Sequence, residues 1–277
     1  MASWLCTVGH VAATRDLAKR GVTKRQLAAA VDEGRLVRVR LGTYACSHHD
    51  DLNMLAAGAG VRVDCVTLLG SLENQWSGIT PPGLHVRARA GTHIGELPAH
   101  TVVHWSEGWT GPVTVIEALL RATGCLGPID WLACVESALH LGHLTDTGLA
   151  ALVARTPRRL RRTLAKLDRG AQSGLETHGR EKIHDAGHTT QSQFAVPGAG
   201  TVDLLVDGCV AVETDGEKWH EGRFHADRTK DIRVRAWNYP VLRIGRPHLF
   251  ELWPETVAAL EDMIRDARAA RPGTHRS

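Results

Sequence analysis

The chain has 277 residues, of which 43% are hydrophobic and 23% are charged, and its formal net charge is +3. This composition excludes wholesale disorder, because enough apolar surface is present to bury a core. No apolar run approaches the ~20 residues of a membrane helix, and the six cysteines form no CxxC pair that would predict a zinc knuckle. We therefore expect a cytoplasmic protein with reduced thiols and roughly two domains.

Charge is strongly segregated along the chain. Residues 1–49 carry a net charge of +5 and residues 151–170 carry +6, whereas residues 50–150 carry −6 and residues 171–277 carry −2. Basic segments of this kind raise the expectation of a polyanionic partner, because Lys and Arg neutralise phosphates. A basic helix that only keeps a surface solvated remains the alternative for each segment taken singly.

Residues 1–49 predict a helix-turn-helix followed by a basic hairpin. A short helix begins at Thr14 and ends before Gly21, and a second helix follows Thr23, which has capping-box spacing to Gln26. A hairpin that turns at Gly42 comes next. This outline is typical of a winged helix-turn-helix, whose second helix enters the major groove of DNA. The residues expected to contact base edges or phosphates are Lys24, Arg25, Gln26, Arg35, Arg38 and Arg40.

The run GVTKRQLAAAVDEGRLVRVRLGTYAC, residues 21–46, resembles the N-terminal domain of AbiEi-type antitoxins. The resemblance implies a winged helix that binds DNA. Small winged helices also mediate protein contacts, so a protein-binding role stays open. A second copy of the chain and a toxin–antitoxin-type partner are further candidates.

Residues 50–170 predict a mostly helical region with a fainter resemblance to the same family. Apolar residues near 61–69 and 102–105 indicate a buried helix and a strand, and three helices are predicted between 113 and 154. Four of the histidines in this region form a loose cluster whose spacing matches no familiar metal site, so surface or capped histidines are expected at His85, His93, His100 and His104.

A basic amphipathic helix is predicted over residues 157–169. It opens with a proline, which suits the first helical turn. Either it lies along DNA or it forms a solvated helix between two domains. Its candidate phosphate contacts are Arg158, Arg159, Arg161 and Arg162.

Residues 171–277 predict the order helix, three strands, helix, strand and closing helix. Asp203 lies inside the second apolar strand, and Glu213 and Asp215 lie at the end of the third. A carboxylate in an apolar strand is disfavoured unless its charge is compensated. Two antiparallel neighbours that each carry one suggest a shared Mg²⁺ or Mn²⁺. An exposed edge with ordinary salt bridges is the alternative interpretation.

The segment VETDGEKWH, with Asp203 upstream, resembles the PD-(D/E)XK nuclease superfamily. More narrowly it is similar to the Vsr-like branch, which includes small bacterial proteins with a VEVDG…WH signature. The resemblance covers residues 173–250 and implies an αβββαβ nuclease core. It extends to the EDxHD grouping, whose letters fall on Glu176, Asp203, His220 and Asp231.

The resemblance implies metal-dependent hydrolysis of DNA phosphodiester bonds. Asp203 would be the principal metal ligand, completed by the Thr214 carbonyl and by Asp215 or Glu213. Glu176 would orient a water molecule and His220 would act as general acid or base. The helix that follows would position His220 or a phosphate through Asp231, Arg228 and Lys230.

This chain also departs from the superfamily pattern. Asp215 stands where the superfamily has a lysine, and no Cys cluster accompanies the motif, so no zinc is expected. The predicted organisation is a winged helix at 1–49, an AbiEi-like middle region at 50–170 and a nuclease domain at 171–277. The alternative is a DNA-binding regulator or antitoxin-like protein in which the nuclease fold is a non-catalytic binding module.

Overall fold

The computed structural model divides the chain into two compact units. The first comprises Met1–Cys134 with Leu141–Arg161, and the second comprises Val135–His140 with Arg162–Ser277. The backbone is described for residues 5, 10–48, 51–79, 83–108, 113–215 and 224–270, with side chains from 229 onward in the last range. Helices and three small sheets in this part of the chain confirm the expected mixed α/β class. None of the described helices is both long and apolar enough to cross a bilayer.

The first unit begins with two helices and a three-stranded antiparallel sheet of order β1-β3-β2. Thr23 caps the second helix, because its side chain accepts from the backbone N–H of Gln26 and the Gln26 side chain accepts in return from the N–H of Thr23. Leu17 and Leu27 bury their side chains in the core beneath the sheet. The elements are β1 (Val11–Ala13), α1 (Thr14–Ala18), α2 (Lys24–Asp32), β2 (Leu36–Arg40) and β3 (Thr43–Cys46).

The rest of the first unit is mostly helical, but it also contains a three-stranded sheet of order β4-β5-β6. β4 pairs antiparallel with β5, and β5 pairs parallel with β6. Only β6 is indicated by the sequence, because β4 has two residues and β5 is the charged segment HVRAR. The elements are α3 (Asp51–Ala59), β4 (Arg62–Val63), α4 (Cys65–Gly70), β5 (His85–Arg89), β6 (Val102–Ser106), α5 (Val115–Ala122), α6 (Pro128–His140) and α7 (Asp146–Arg155). The last six residues of α6, Val135–His140, belong to the second unit.

The prediction of a basic helix over 157–169 is wrong, because the helical part of this segment is much shorter. A 3₁₀ turn spans Arg158–Leu160, and α8 spans only Arg161–Leu164. Beyond it the backbone N–H of Asp168 donates to the buried Glu136 carboxylate at 2.7 Å. This long-range hydrogen bond replaces the helical one, and amphipathic spacing cannot reveal it.

In the described part of residues 171–277 the elements follow the predicted order, with one further short helix, Arg246–Phe250, before the closing helix. Three antiparallel strands are followed by a helix and by a fourth strand that pairs parallel to the third, giving the order β10-β9-β8-β7. Asp207 and Gly208 join β8 to β9 with φ values of 47° and 65°, as a type I′ turn requires. The elements are α9 (Gly174–Asp185), β7 (Thr190–Val196), β8 (Gly200–Val206), β9 (Val210–Asp215), α10 (Phe224–Ala236), β10 (Val241–Gly245), α11 (Arg246–Phe250) and α12 (Trp253–Ala270).

Candidate active site

The candidate site of the second unit lies where the hydrogen-bonded ladder between β8 and β9 ends. The last paired residues are Leu204 and Val212. Asp203 precedes Leu204 in β8, and its side chain makes the next hydrogen bonds to β9 in place of a backbone pair. Its Oδ2 accepts from the backbone N–H of Thr214 at 2.7 Å and from the Thr214 hydroxyl at 2.9 Å. These two bonds hold a half-buried carboxylate at the end of the pairing.

Glu176 brings a second carboxylate from the first turn of α9. Its backbone N–H donates to the capping side chain of Ser173 at 3.2 Å. Its carboxylate does not complete a capping box. Instead, Oε2 accepts from the N–H of Gln172 at 3.0 Å and from the side-chain amide of Gln193 at 2.9 Å. Burial, followed by the negative charge of Asp203, raises the pKa of Glu176 to about 7.

Glu213 supplies the third carboxylate from β9, and it is 7% exposed. Burial, followed by the charge of Asp203, raises its pKa to about 7, although the nearby Lys230 lowers it. The Lys230 ammonium on α10 lies 2.6 Å from Oε1 of Glu213. Asp203 therefore acts electrostatically on both neighbours, so that Glu176, Asp203 and Glu213 form one acidic group from three elements.

Arg243 on β10 holds the two remaining predicted carboxylates of this region. It contacts both oxygens of Asp231 on α10, at 2.8 and 3.0 Å, and its Nη1 donates to Asp215 at 2.8 Å. These hydrogen bonds and charges raise the pKa of Arg243. Its role was missed at the sequence level, although an arginine inside the apolar strand YPVLRI is the signal that could have revealed it.

Two of the predicted site residues have no described side chain. His220 and the side chain of Arg228 fall outside the described residues. In the described part of the chain, no carboxylate set brings three ligand atoms within 4.8 Å of one another. The set that does lies in the first unit and consists of Cys65, His85, His104 and Cys125. The metal roles of Asp203, Thr214 and Asp215 stay predictions.

The histidines of the middle region divide into two groups. His93 and His100 are exposed, as predicted. His85 is 1% exposed, so the expectation of a surface histidine is wrong there. It faces His104 across two parallel strands, and spacing along the chain does not show this pairing.

The predicted DNA-contacting residues of the first unit are exposed, but several already have partners. Gln26 uses its Oε1 to cap α2 at Thr23. Arg35 donates from Nε to Glu33 at 2.6 Å. The guanidinium of Arg40 lies against Gly60. On α2 and the β2–β3 hairpin, three predicted cations are exposed and have no contact of this kind with the described residues: Lys24, Arg25 and Arg38.

The basic segment after α7 is exposed at most of its predicted contacts. Arg159 differs from the others because its guanidinium donates to the backbone carbonyl of Thr123. Three further exposed arginines of the segment make no such bond to the residues that the structure describes: Arg158, Arg161 and Arg162.

No protein-family model matches this chain, and no curated protein matches it. The resemblances to AbiEi-type antitoxins and to Vsr-like nucleases therefore depend on the motifs and on their order along the chain.

Proposed function

We propose that the second unit is a divalent-metal-dependent DNA endonuclease. The observation that supports this proposal most is the position of Asp203 at the open end of the β8–β9 ladder. Burial, followed by the charge of Asp203, raises the pKa values of both Glu176 and Glu213. An acidic group of this kind binds oxygen-seeking cations. The order α9-β7-β8-β9-α10-β10 supports the same reading, because it matches the αβββαβ order of the PD-(D/E)XK resemblance.

The donor chemistry of this group fits Mg²⁺ or Mn²⁺. Asp203 uses Oδ2 for its hydrogen bonds to Thr214, and its Oδ1 has no hydrogen-bond partner among the described residues. A cation held by Asp203 and Glu213 would relieve the repulsion between them. When bound, it would lower the pKa of an attacking water and neutralise charge on the phosphoryl group. Asp215 fits less well, because Arg243 already holds it.

The protein's own groups supply proton handling and positive charge in this proposal. Glu176, with a pKa of about 7, can accept a proton from an attacking water near neutral pH. Lys230 replaces the superfamily lysine that is absent at Asp215, because it brings an ammonium to Glu213 from the following helix. His220 keeps its proposed role as general acid or base.

In this proposal the first unit binds the DNA that the second unit cleaves. We infer that α2 and the β2–β3 hairpin act as a winged helix, with Lys24 and Arg25 at the groove and Arg38 on a phosphate. The exposed Arg158, Arg161 and Arg162 would add phosphate contacts. Their electrostatic contribution is independent of base sequence.

One observation favours the second candidate, a non-catalytic DNA-binding regulator. Lys230 and Arg243 together pair with Glu213, Asp215 and Asp231. Much of the negative charge is thus neutralised by the chain itself without a cation. A binding module would retain these pairs for stability and would cleave nothing.

A cleavage assay distinguishes the two functions. Its substrates are supercoiled plasmid and single-stranded DNA, each tested with Mg²⁺, with Mn²⁺ and with neither metal. We expect metal-dependent cleavage that falls by at least about 10²-fold in Asp203→Asn, which keeps an acceptor for Thr214. Asp262→Asn is the matched control, because it makes the same change at an exposed carboxylate on α12. Cleavage that survives in Asp203→Asn would contradict the site, and no cleavage with any metal would favour the regulator.

A further inference from the structure

Four potential metal ligands converge in the first unit from four separate places in the chain. Cys65 begins α4, His85 begins β5, His104 lies in β6, and Cys125 follows α5. One ligand atom from each of these residues lies within 4.8 Å of the corresponding atoms of the other three. The four residues are separated by about twenty positions at each step, so the cluster is a product of the tertiary fold.

Hydrogen bonds of the backbone lock two of these residues together. The N–H of His85 donates to the Thr67 hydroxyl at 2.8 Å, and its carbonyl accepts from the N–H of Asp64 at 3.0 Å. Asp64 in turn caps α4 by accepting from the N–H of Cys65 at 2.7 Å. The start of α4 is therefore held at the start of β5, and Cys65 adopts a left-handed φ of 55° in this position.

Two of the six separations between the ligand atoms are close to those of a tetrahedral zinc centre. Nδ1 of His85 lies 3.2 Å from Nε2 of His104, which lies 3.8 Å from Sγ of Cys125. Zinc bonds of ~2.0–2.1 Å to nitrogen and ~2.3 Å to sulfur place tetrahedral ligands ~3.4 Å apart for two nitrogens and ~3.6 Å apart for nitrogen and sulfur. Little movement is thus needed to receive an ion.

The buried histidine of the cluster has one ring nitrogen that nothing in the described part of the chain satisfies. Cys65 and His85 are buried, and the remaining ring nitrogen of His85, Nε2, has no hydrogen-bond partner among the described residues. No bond at Nε2 therefore orients the ring, which instead turns Nδ1 toward the cluster. Buried imidazoles are normally held by carbonyl or carboxylate partners, and here the neighbours are thiols and a second imidazole.

We propose that Cys65, His85, His104 and Cys125 bind one structural Zn²⁺ ion. Two thiolates and two imidazoles are a typical closed zinc set, and soft sulfur donors select against Mg²⁺ and Ca²⁺. Two thiolates also neutralise the ion, which suits a partly buried site. Four protein ligands leave no open position, so the ion stabilises the β4-β5-β6 sheet and takes no part in DNA cleavage. This assignment replaces the expectation that the chain binds no zinc.

A cavity adjoins the two partly buried ligands of the cluster. A cavity of about 660 Å³ is lined by His104 and Cys125, the two ligands that are only partly buried, together with Arg87, Arg121 and Arg155. An entry path is one of the features expected of a genuine metal site.

Metal analysis of the purified full-length chain tests the proposal. We expect about one zinc per chain in the wild type and loss of at least about 80% of it in Cys125→Ser and in His104→Gln. Cys134→Ser and His93→Gln are the matched controls, since Cys134 is buried in the same unit and His93 is exposed. Full zinc content in both ligand variants, or none in the wild type purified with zinc present, would overturn the proposal.

Two measurements on the wild type keep the test valid if a ligand variant does not fold. Replacement of zinc by Co²⁺ should give the intense visible absorption of a tetrahedral centre with thiolate ligands. Thiol modification should release zinc into a colorimetric chelator, in step with the modification of Cys65 and Cys125. A Cys65–Cys125 disulfide in the freshly purified protein, or Co²⁺ spectra without thiolate bands, would overturn the assignment.

Discussion

Asp203 accepts two hydrogen bonds from Thr214, one from the backbone N–H and one from the hydroxyl, at the point where β8 and β9 stop pairing. A strand residue thus uses its carboxylate to satisfy a backbone donor that the ladder leaves open. The charge of the same carboxylate adds to burial in raising the pKa values of Glu176 and Glu213.

Thr214→Val tests this orientation directly, because it removes the hydroxyl donor and keeps the N–H. We expect metal affinity and cleavage to fall about 10–100-fold, as is usual when a partner of a metal ligand is lost. Unfolding free energy should fall by only about 1 kcal/mol. Thr214→Ser should restore activity, and equal losses in both variants would contradict the role of the hydroxyl.

Lys230→Met tests the ammonium on α10. It leaves the charge of Glu213 without a partner in a buried position, so the pKa of Glu213 should rise further. Cleavage should fall by about 10²–10³-fold, with partial recovery in Lys230→Arg. Unchanged cleavage in Lys230→Met would assign the lysine to stability alone.

The raised pKa of Glu176 predicts a pH dependence of stability. The folded carboxyl has a pKa of about 7 against 4.5 for its ordinary value, so the folded state binds the proton more tightly. Stability from this group is therefore present below about pH 4.5 and is lost as the pH rises toward 7. Glu176→Gln stays neutral, so its melting temperature relative to wild type should increase between pH 5 and pH 8 without added Mg²⁺. A difference in melting temperature between Glu176→Gln and the wild type that stays constant with pH would contradict the raised pKa of Glu176.

A buried ion pair in the second unit predicts a large loss of stability. Arg180 contacts both carboxylate oxygens of Glu136 at 2.9 and 3.2 Å, and the two side chains are 4% and 1% exposed. Arg180→Met leaves the Glu136 charge uncompensated, so denaturant unfolding should show a loss of about 3–5 kcal/mol. Arg265→Met, which breaks an exposed pair with Asp262, should cost at most about 0.5 kcal/mol.

Lys24 and Arg38 predict the salt dependence of DNA binding. Replacing Lys24 or Arg38 by Ala should make the plot of log affinity against log salt concentration less steep. On duplex DNA the slope should fall in magnitude by about 0.9 for each residue, because one phosphate contact is lost. Arg35→Ala is the matched control, since Glu33 already neutralises this arginine. Equal slopes in all three variants and the wild type would assign α2 and its hairpin to protein contacts.

Local features of the fold could be predicted from the sequence because they depend on near neighbours. The capping box of Thr23 and Gln26 and the type I′ turn at Asp207 and Gly208 involve residues at most three positions apart. The alternation of apolar residues likewise defines β8 and β9 before any tertiary contact is known. The same locality explains the error at 157–169, where the helix ends at Leu164 and the backbone N–H of Asp168 bonds to the distant Glu136.

The sequence by itself determined the order of the main helices and strands of residues 171–277 and the acidic character of β8 and β9, but it did not indicate β4 and β5 of the first unit. Only the tertiary structure decided which side chains meet: Lys230 with Glu213, Arg243 with Asp215 and Asp231, and Cys65 with His85, His104 and Cys125. The physical reason is that a backbone hydrogen-bonding pattern can be read over a few residues. A meeting of side chains depends on strand register and helix packing, which join positions far apart in the chain.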